Sequence, residues 1–372
     1  MIIRLGENYL QKRASDNKAL IILGARQVGK TTLLKKMFPP SDTIEWLTGD
    51  DLSTQQLLEN INLERWKILL KNKTTLVIDE AQRIKDIGLK VKLVLDHLNT
   101  KVVLSGSSSL ELANSVNEPL TGRKWEMNLY PISFAELVST NSLNTELQLL
   151  HHRLVFGQYP DVINHSGDEI DVLTSLSDSY LYKDILSYQK VRKPEKLKLL
   201  LSALAHQLGS EVSYNELGKT IGLDNQSIEL YIDLLEKNFI VFRLPPLSRN
   251  LRKELKSKRK IYFWDNGIRN AIIAQFQPFE LRADKGQLWE NWFISERLKH
   301  LRYSRIPFNS YFWRTQDQQE IDLIEDKNGV LSAFEIKWNS NKKVRFSKTF
   351  LNAYPSNDTH EINPTNFYEY LV

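Results

Sequence analysis

The first hundred residues alternate short unbroken apolar runs with apolar stripes at helical spacing. ALIIL (19–23), LVI (76–78) and VVL (102–104) have the length and branched side chains of strands buried on both faces, and TIEWL (43–47) reads as a further strand. Between them Ile87, Val91, Val94, Leu95 and Leu98 recur at helical spacing, the packing face of a crossover helix. Alternating strand and helix patterns predict an α/β unit: a parallel sheet flanked by helices, with ligand chemistry at the C-terminal strand ends.

Past residue 141 the pattern turns helical. Leu197, Leu200, Leu201, Leu204 and Leu208 mark one helix. SYNELGKTIGLDNQSIELYIDLLEKNFIVFRLP then reads as helix, glycine turn at Gly222, second helix and strand, a helix-turn-helix followed by a wing-like strand. The second helix turns Ile228, Tyr231, Ile232 and Leu235 inward, and its outer face carries Glu229, Asp233 and Glu236, which is a poor reader of DNA. In the last quarter an aromatic-rich helix (287–301) precedes two strands around Asn328-Gly329, the strongest short hairpin signal. The expected boundaries are 1–140, 141–192, 193–275 and 276–372.

Composition narrows the class. The chain has 372 residues, no cysteine and a formal net charge of +5. Disulfides and thiolate metal sites are excluded, which fits a reducing cytoplasm. No apolar run approaches the ~18 residues of a membrane span, and the start lacks the apolar core of a signal peptide. A pI near 9.0 leans mildly towards polyanions. The densest basic run is RNLRKELKSKRK (249–260), which suits either a phosphate backbone or a solvated linker.

Chemistry first appears at residues 24–31, which match G-x-x-x-x-G-K-[ST] between a strand and a helix. Gly24, Ala25, Arg26, Gln27, Val28, Gly29, Lys30, Thr31 and Thr32 would wrap the phosphates of ATP with backbone N–H groups. Lys30 supplies a charge for the β and γ groups and Thr31 a hydroxyl for Mg²⁺. TTLVIDEAQRI (74–84) ends a buried strand in Asp79-Glu80: Asp79 would hold Mg²⁺ and Glu80 polarise the attacking water. Ser105 or Ser107, at the tip after the next strand, is a candidate γ-phosphate sensor, with a serine-rich turn as the alternative. Arg123 is a candidate finger or sensor on the triphosphate, in its own or a neighbouring subunit, against the plainer reading of a surface arginine.

The hairpin raises an electrostatic question. A two-residue loop pairs Lys327 with Val330, Ile324 with Ala333, and Asp322 with Glu335. Directly opposed carboxylates sit with Cβ atoms ~5 Å apart and repel. Lys337 falls two residues on, on the same face, and Glu320 across from it. Two acids with a lysine beside them suit a hard cation, Mg²⁺ or Mn²⁺, at a site for phosphodiester hydrolysis. Glu290, on the preceding helix, is placed to complete the cage. A solvated face with alternating charge is the competing reading.

GARQVGKTTL, TLVIDEAQ, VVLSGSSS, LTGR, YPISFAEL, FWDNGIRNA, LWENWFISERL, EIDLI and FEIKW, in this order, make the chain resemble a large bacterial and archaeal group of AAA-superfamily ATPases. That group carries a C-terminal restriction-endonuclease-like domain of uncharacterised function. The resemblance spans nearly the whole chain. It implies an N-terminal P-loop NTPase, a winged helix in the middle and a C-terminal PD-(D/E)xK domain. That pattern maps to Glu290, Asp322, Glu335 and Lys337, with Ile321 where the pattern has proline. The expected function is an ATPase whose nucleotide cycle repositions a nuclease-like domain, with DNA as the candidate partner and a homo-oligomer as the candidate assembly. A non-cleaving DNA-binding switch and a signalling ATPase with protein partners are the alternatives, and a nucleotide kinase is disfavoured by Glu80.

Overall fold

A computed structural model of the chain describes residues 2–107, 116, 118–186, 193–248, 258–340, 344–355 and 357–372. The serine-rich tip beyond Ser107 and Arg249, Arg252, Lys253 and Lys256 of the basic run lie outside the described residues. The chain divides into two compact units: Met1–Pro131 with Lys237–Phe239, and Ile132–Glu236 with Ile240–Val372. Among the described residues no helix is long and apolar enough to cross a membrane.

The first unit is built on five parallel strands: β1 (Ala19–Gly24), β2 (Ile44–Thr48), β3 (Thr75–Asp79), β4 (Lys101–Gly106) and β5 (Lys124–Leu129). Their spatial order is β2-β3-β4-β1-β5. All of β1 is buried, as its unbroken apolar run requires. The helix Ile87–His97 buries Ile87, Val91 and Val94, whereas Leu95 and Leu98 are half-buried. Because β4 lies between β1 and β3, the loop after β1 and the acid ending β3 face each other across the tip of β4. Gly24 ends β1 where β5 comes closest. A Cβ there would stand 2.2 Å from the Leu129 carbonyl oxygen, so only glycine lets the two strands pair to their ends.

The second unit holds two sheets. The helices Pro194–His206, Tyr214–Ile221 and Asn225–Lys237 bury the leucine and isoleucine stripes the sequence shows. Gly222 closes the second of them at φ 77°, a left-handed position suited to glycine. β6 (Glu211–Val212), β7 (Val241–Leu244) and β8 (Arg259–Phe263) form an antiparallel sheet in the order β6-β8-β7. The other sheet is mixed, β12-β11-β10-β9: β9 (Asn309–Arg314), β10 (Glu320–Lys327) and β11 (Val330–Ile336) are antiparallel neighbours, and β12 (Asn357–Ile362) runs parallel to β11. Asn328 and Gly329 have φ of 55° and 83°, the pair of positive angles a two-residue hairpin demands. The register is accordingly Lys327 to Val330 and Ile324 to Ala333.

The helix Lys285–Tyr303 packs Leu288, Trp289, Trp292, Phe293, Ile294, Leu298 and Leu301 into the core of this unit. Its polar Asn291 is fully buried. The side-chain oxygen accepts from Phe263 N at 2.7 Å and its amide donates to Phe263 O at 3.0 Å, which fixes the end of β8 against the helix.

Gly24→Ala is expected to destabilise the first unit by about 1 to 3 kcal/mol, through the clash with Leu129. Gly286→Ala, where a Cβ would meet nothing within 4 Å, serves as the silent control. Denaturant unfolding of the two variants checks this; equal midpoints would contradict the close approach.

Candidate functional site

The loop from Gly24 to Gly29 turns back on itself through two left-handed residues, Gln27 (φ 59°) and Gly29 (φ 96°). This conformation aims successive backbone N–H groups inward ahead of the helix Lys30–Met37, whose N-terminus favours an anion. Lys30 is buried and folds back, its Nζ donating to the carbonyls of Gly24 (2.9 Å) and Ala25 (2.8 Å). Thr31 Oγ1 donates to Asp79 Oδ2 at 2.7 Å. The other oxygen of Asp79 accepts from the Ser105 hydroxyl and, at 3.1 Å, from Glu80 N. A hydroxyl and a carboxylate in contact beside a phosphate-shaped loop fit Mg²⁺ with nucleotide. Arg26 is half-buried, Val28 fully buried and Thr32 exposed.

Glu80 sits at φ 48°, in the left-handed region. Its carboxylate accepts from Gln82 Nε2 at 2.6 Å, and the same amide reaches Ser107 Oγ at 2.9 Å. The strained turn after β3 and the Gln82 tether hold the acid in a fixed position beside Asp79. Ser105 itself is spent on Asp79 and on Glu80 N (3.3 Å). A further residue braces the loop: the buried Arg4 donates to Val28 O at 2.7 Å and Tyr130 O at 2.6 Å. No motif marks Arg4, which lies twenty residues before the loop it supports.

Arg123 does not join this group. It immediately precedes β5, its carbonyl accepts from Ala19 N at 2.9 Å, and its Nε donates to Asp96 at 2.8 Å. β1 and β5 run parallel, so Arg123 stands at the N-terminal edge of the sheet, a strand length of about 16 Å from the phosphate loop. Its expected role as a sensor in its own subunit is thereby corrected.

The second cluster lies at the start of β10 and the end of β11. The paired ladder stops at Leu323 and Phe334, and beyond it Asp322 Oδ2 accepts from Ile336 N at 2.8 Å. Lys337 Nζ lies 2.9 Å from Asp322 Oδ2 and 2.7 Å from Glu335 Oε2, so one ammonium bridges both acids. Burial and the neighbouring Asp322 push the Glu335 carboxyl up to about 7 against the pull of Lys337. Burial pulls the Lys337 ammonium down, but Asp322 and Glu335 outweigh it and raise it above its ordinary value.

Glu290 and Glu320 are engaged elsewhere. Glu290 Oε1 accepts from Tyr262 OH at 2.6 Å and lies 3.2 Å from Lys260 Nζ. Glu320 pairs with Lys260 at 2.5 Å and with Arg314 at 3.6 Å, rather than facing Lys337. A register shift between Ile321 and Ile324 on the β9 side re-aims the start of β10. Burial raises the Glu290 carboxyl, opposed by Lys260 and reinforced by Asp322. Among the described residues no three or more His, Cys, Asp and Glu side chains form a group that could hold a metal ion. The donor set is therefore two carboxylates sharing a cation, a number that suits a hydrated Mg²⁺ or Mn²⁺.

Residues 16–138 match the family model described as an AAA domain. Residues 147–278 and 285–368 match two models described as domains of unknown function, DUF8612 and DUF4143. An uncharacterised protein of Haemophilus influenzae is 25% identical, covering 90% of this chain and 88% of its own. Another, of Mycobacterium tuberculosis, is 25% identical over 92% of this chain and 76% of its own. Among solved structures, the Walker-type ATPase of Pyrococcus abyssi resembles this fold with a TM-score of 0.52 at 15% identity, covering 73% of this chain and 96% of that one. The first unit thus matches an AAA domain and has the fold of a P-loop ATPase.

Two outcomes test these placements. Lys30→Ala should abolish ATP turnover, whereas Arg123→Ala should leave it within about twofold, well short of the 10³ or more that a catalytic arginine supplies; steady-state ATPase assays check both. A dication held by Asp322 and Glu335 would need Glu335 ionised, and burial beside Asp322 pushes that carboxyl up to about 7. Apparent Mn²⁺ affinity at the second cluster should therefore fall about tenfold per pH unit below 7 and level off above it. Calorimetric titration across that range reads the slope, and a flat profile would contradict the assignment.

Proposed function

We propose that this protein is an ATP-driven switch whose nucleotide cycle controls a C-terminal domain acting on nucleic acid through a divalent-cation site. The carrying observation is the single ammonium of Lys337 shared between Asp322 and Glu335. In this reading residues 1–140 are the ATPase, 141–192 a helical connection, 193–275 a winged helix and 276–372 a PD-(D/E)xK nuclease-like domain.

At the first site Lys30 exchanges the Gly24 and Ala25 carbonyls for the β and γ phosphates. Thr31 and Asp79 hold Mg²⁺, and Glu80, tethered by Gln82, orients a water and takes its proton. At the second site Asp322 and Glu335 hold the cation, which when bound offsets phosphate charge and acidifies water. Lys337 orients that water or stabilises the charge that develops on the phosphate.

Nucleic acid is favoured over a protein partner by a contact the sequence conceals. Arg243 of β7 lies 2.5 Å from both Asp233 and Glu236. The single Arg243 guanidinium thus offsets one of the three acidic charges on the outer face of the helix Asn225–Lys237, and Glu229 remains exposed. The order of helices and strands from Pro194 to Phe263 also suits a winged helix.

The test is incubation with Mg²⁺ or Mn²⁺, with and without ATP, on single-stranded, duplex and structured DNA and RNA. Cleavage should appear only with metal and fall by about 10² or more in Asp322→Ala and Lys337→Ala. Salt-sensitive binding without cleavage would leave a non-cleaving switch, and neither binding nor cleavage would overturn the nucleic-acid reading.

A further inference from the structure

A second lysine enters the acidic end of the β9–β12 sheet from outside it. Lys260 belongs to β8, in the other sheet of the same unit, and its side chain is 2% exposed. Its Nζ lies 2.5 Å from Glu320 Oε1 and 3.2 Å from Glu290 Oε1. Tyr262, two residues along β8 and hence on the same face, donates its hydroxyl to that same Glu290 oxygen at 2.6 Å. Gly209 lines the other side at φ 70°, where a Cβ would come within 3.3 Å of Glu290 Oε1. Asp322 acts electrostatically on both Lys260 and Glu290, so the two halves of the cluster share one field.

Four carboxylates, Glu290, Glu320, Asp322 and Glu335, gathered at one end of a sheet have the charge to hold two dications, as two-metal phosphodiesterases do. Here three cations are already paired with them: Lys260 with Glu290 and Glu320, Arg314 with Glu320, and Lys337 with Asp322 and Glu335. A buried ammonium is tolerated only when paired and hydrogen-bonded, and Lys260 is paired twice. Glu290, in turn, has Tyr262 and Lys260 on one oxygen.

We infer that Lys260 is a built-in cation standing in place of a second metal, so that this site takes one divalent cation, on Asp322 and Glu335. Glu290 is then the counter-ion of Lys260 and not a metal ligand. The inference rests on the reading of Asp322 and Glu335 as a dication site. It gives the site single-ion chemistry, with Lys337 as the charged side chain beside the bound cation. It also makes β8 part of the site: a side chain from the three-stranded sheet sets the ion count of the four-stranded one.

Mn²⁺ bound to the full-length, nucleotide-free chain can be counted by electron paramagnetic resonance at pH 8. The wild type should bind one ion more than Asp322→Ala. Lys260→Met, which keeps the length and removes the charge, should bind one ion more than the wild type, and Lys260→Arg should restore the wild-type count. Glu290→Gln should keep the wild-type count, because Glu290 is not a ligand of the ion. An unchanged count in a folded Lys260→Met, or a lower count in Glu290→Gln, overturns the inference while leaving the dication reading intact. If Lys260→Met does not fold, the Glu290→Gln titration decides alone. Equal counts in wild type and Asp322→Ala overturn the dication reading and this inference together.

Discussion

A carboxylate taken out of water must be given donors or a cation, and both sites of this chain are organised by that requirement. Asp79 meets it with two hydroxyls and a backbone N–H drawn from two strand ends and a helix start. Asp322 meets it with one backbone N–H and an ammonium. In the first case every donor is neutral, so the negative charge stays available to an arriving ion. In the second a lysine already balances it, so an ion must displace or share with that lysine. The two acids are chemically alike, yet their surroundings make one site receptive and the other self-compensated.

What the sequence made legible follows from how local the determinants are. The phosphate loop is contained in eight residues, and the residue types alone define its shape. The hairpin register follows from two residues, Asn328 and Gly329, because positive φ at both leaves one way for the strands to pair. Strand polarity and strand order are a different matter. LTGR reads as a plausible sensor motif until β5 is laid parallel to β1, which carries Arg123 to the far edge. Arg4 and Lys260 reach their partners over long chain separations with no spacing rule, so no pattern announces them.

The helix Asn225–Lys237 shows the same limit in reverse. Its outward residues are visible from periodicity, but their net charge is not, because Arg243 lies beyond the helix end and folds back over Asp233 and Glu236. A helical projection reports which side chains share a face; it cannot report which charges are cancelled from a neighbouring strand.

Arg4 carries a practical consequence. Its guanidinium joins the carbonyl of Val28, inside the phosphate loop, to that of Tyr130, just past β5. Losing this one guanidinium would strip a clamp from the nucleotide pocket, though no residue of the Walker motifs would be touched. A chain altered only there would keep every signature motif and still hold the loop less firmly.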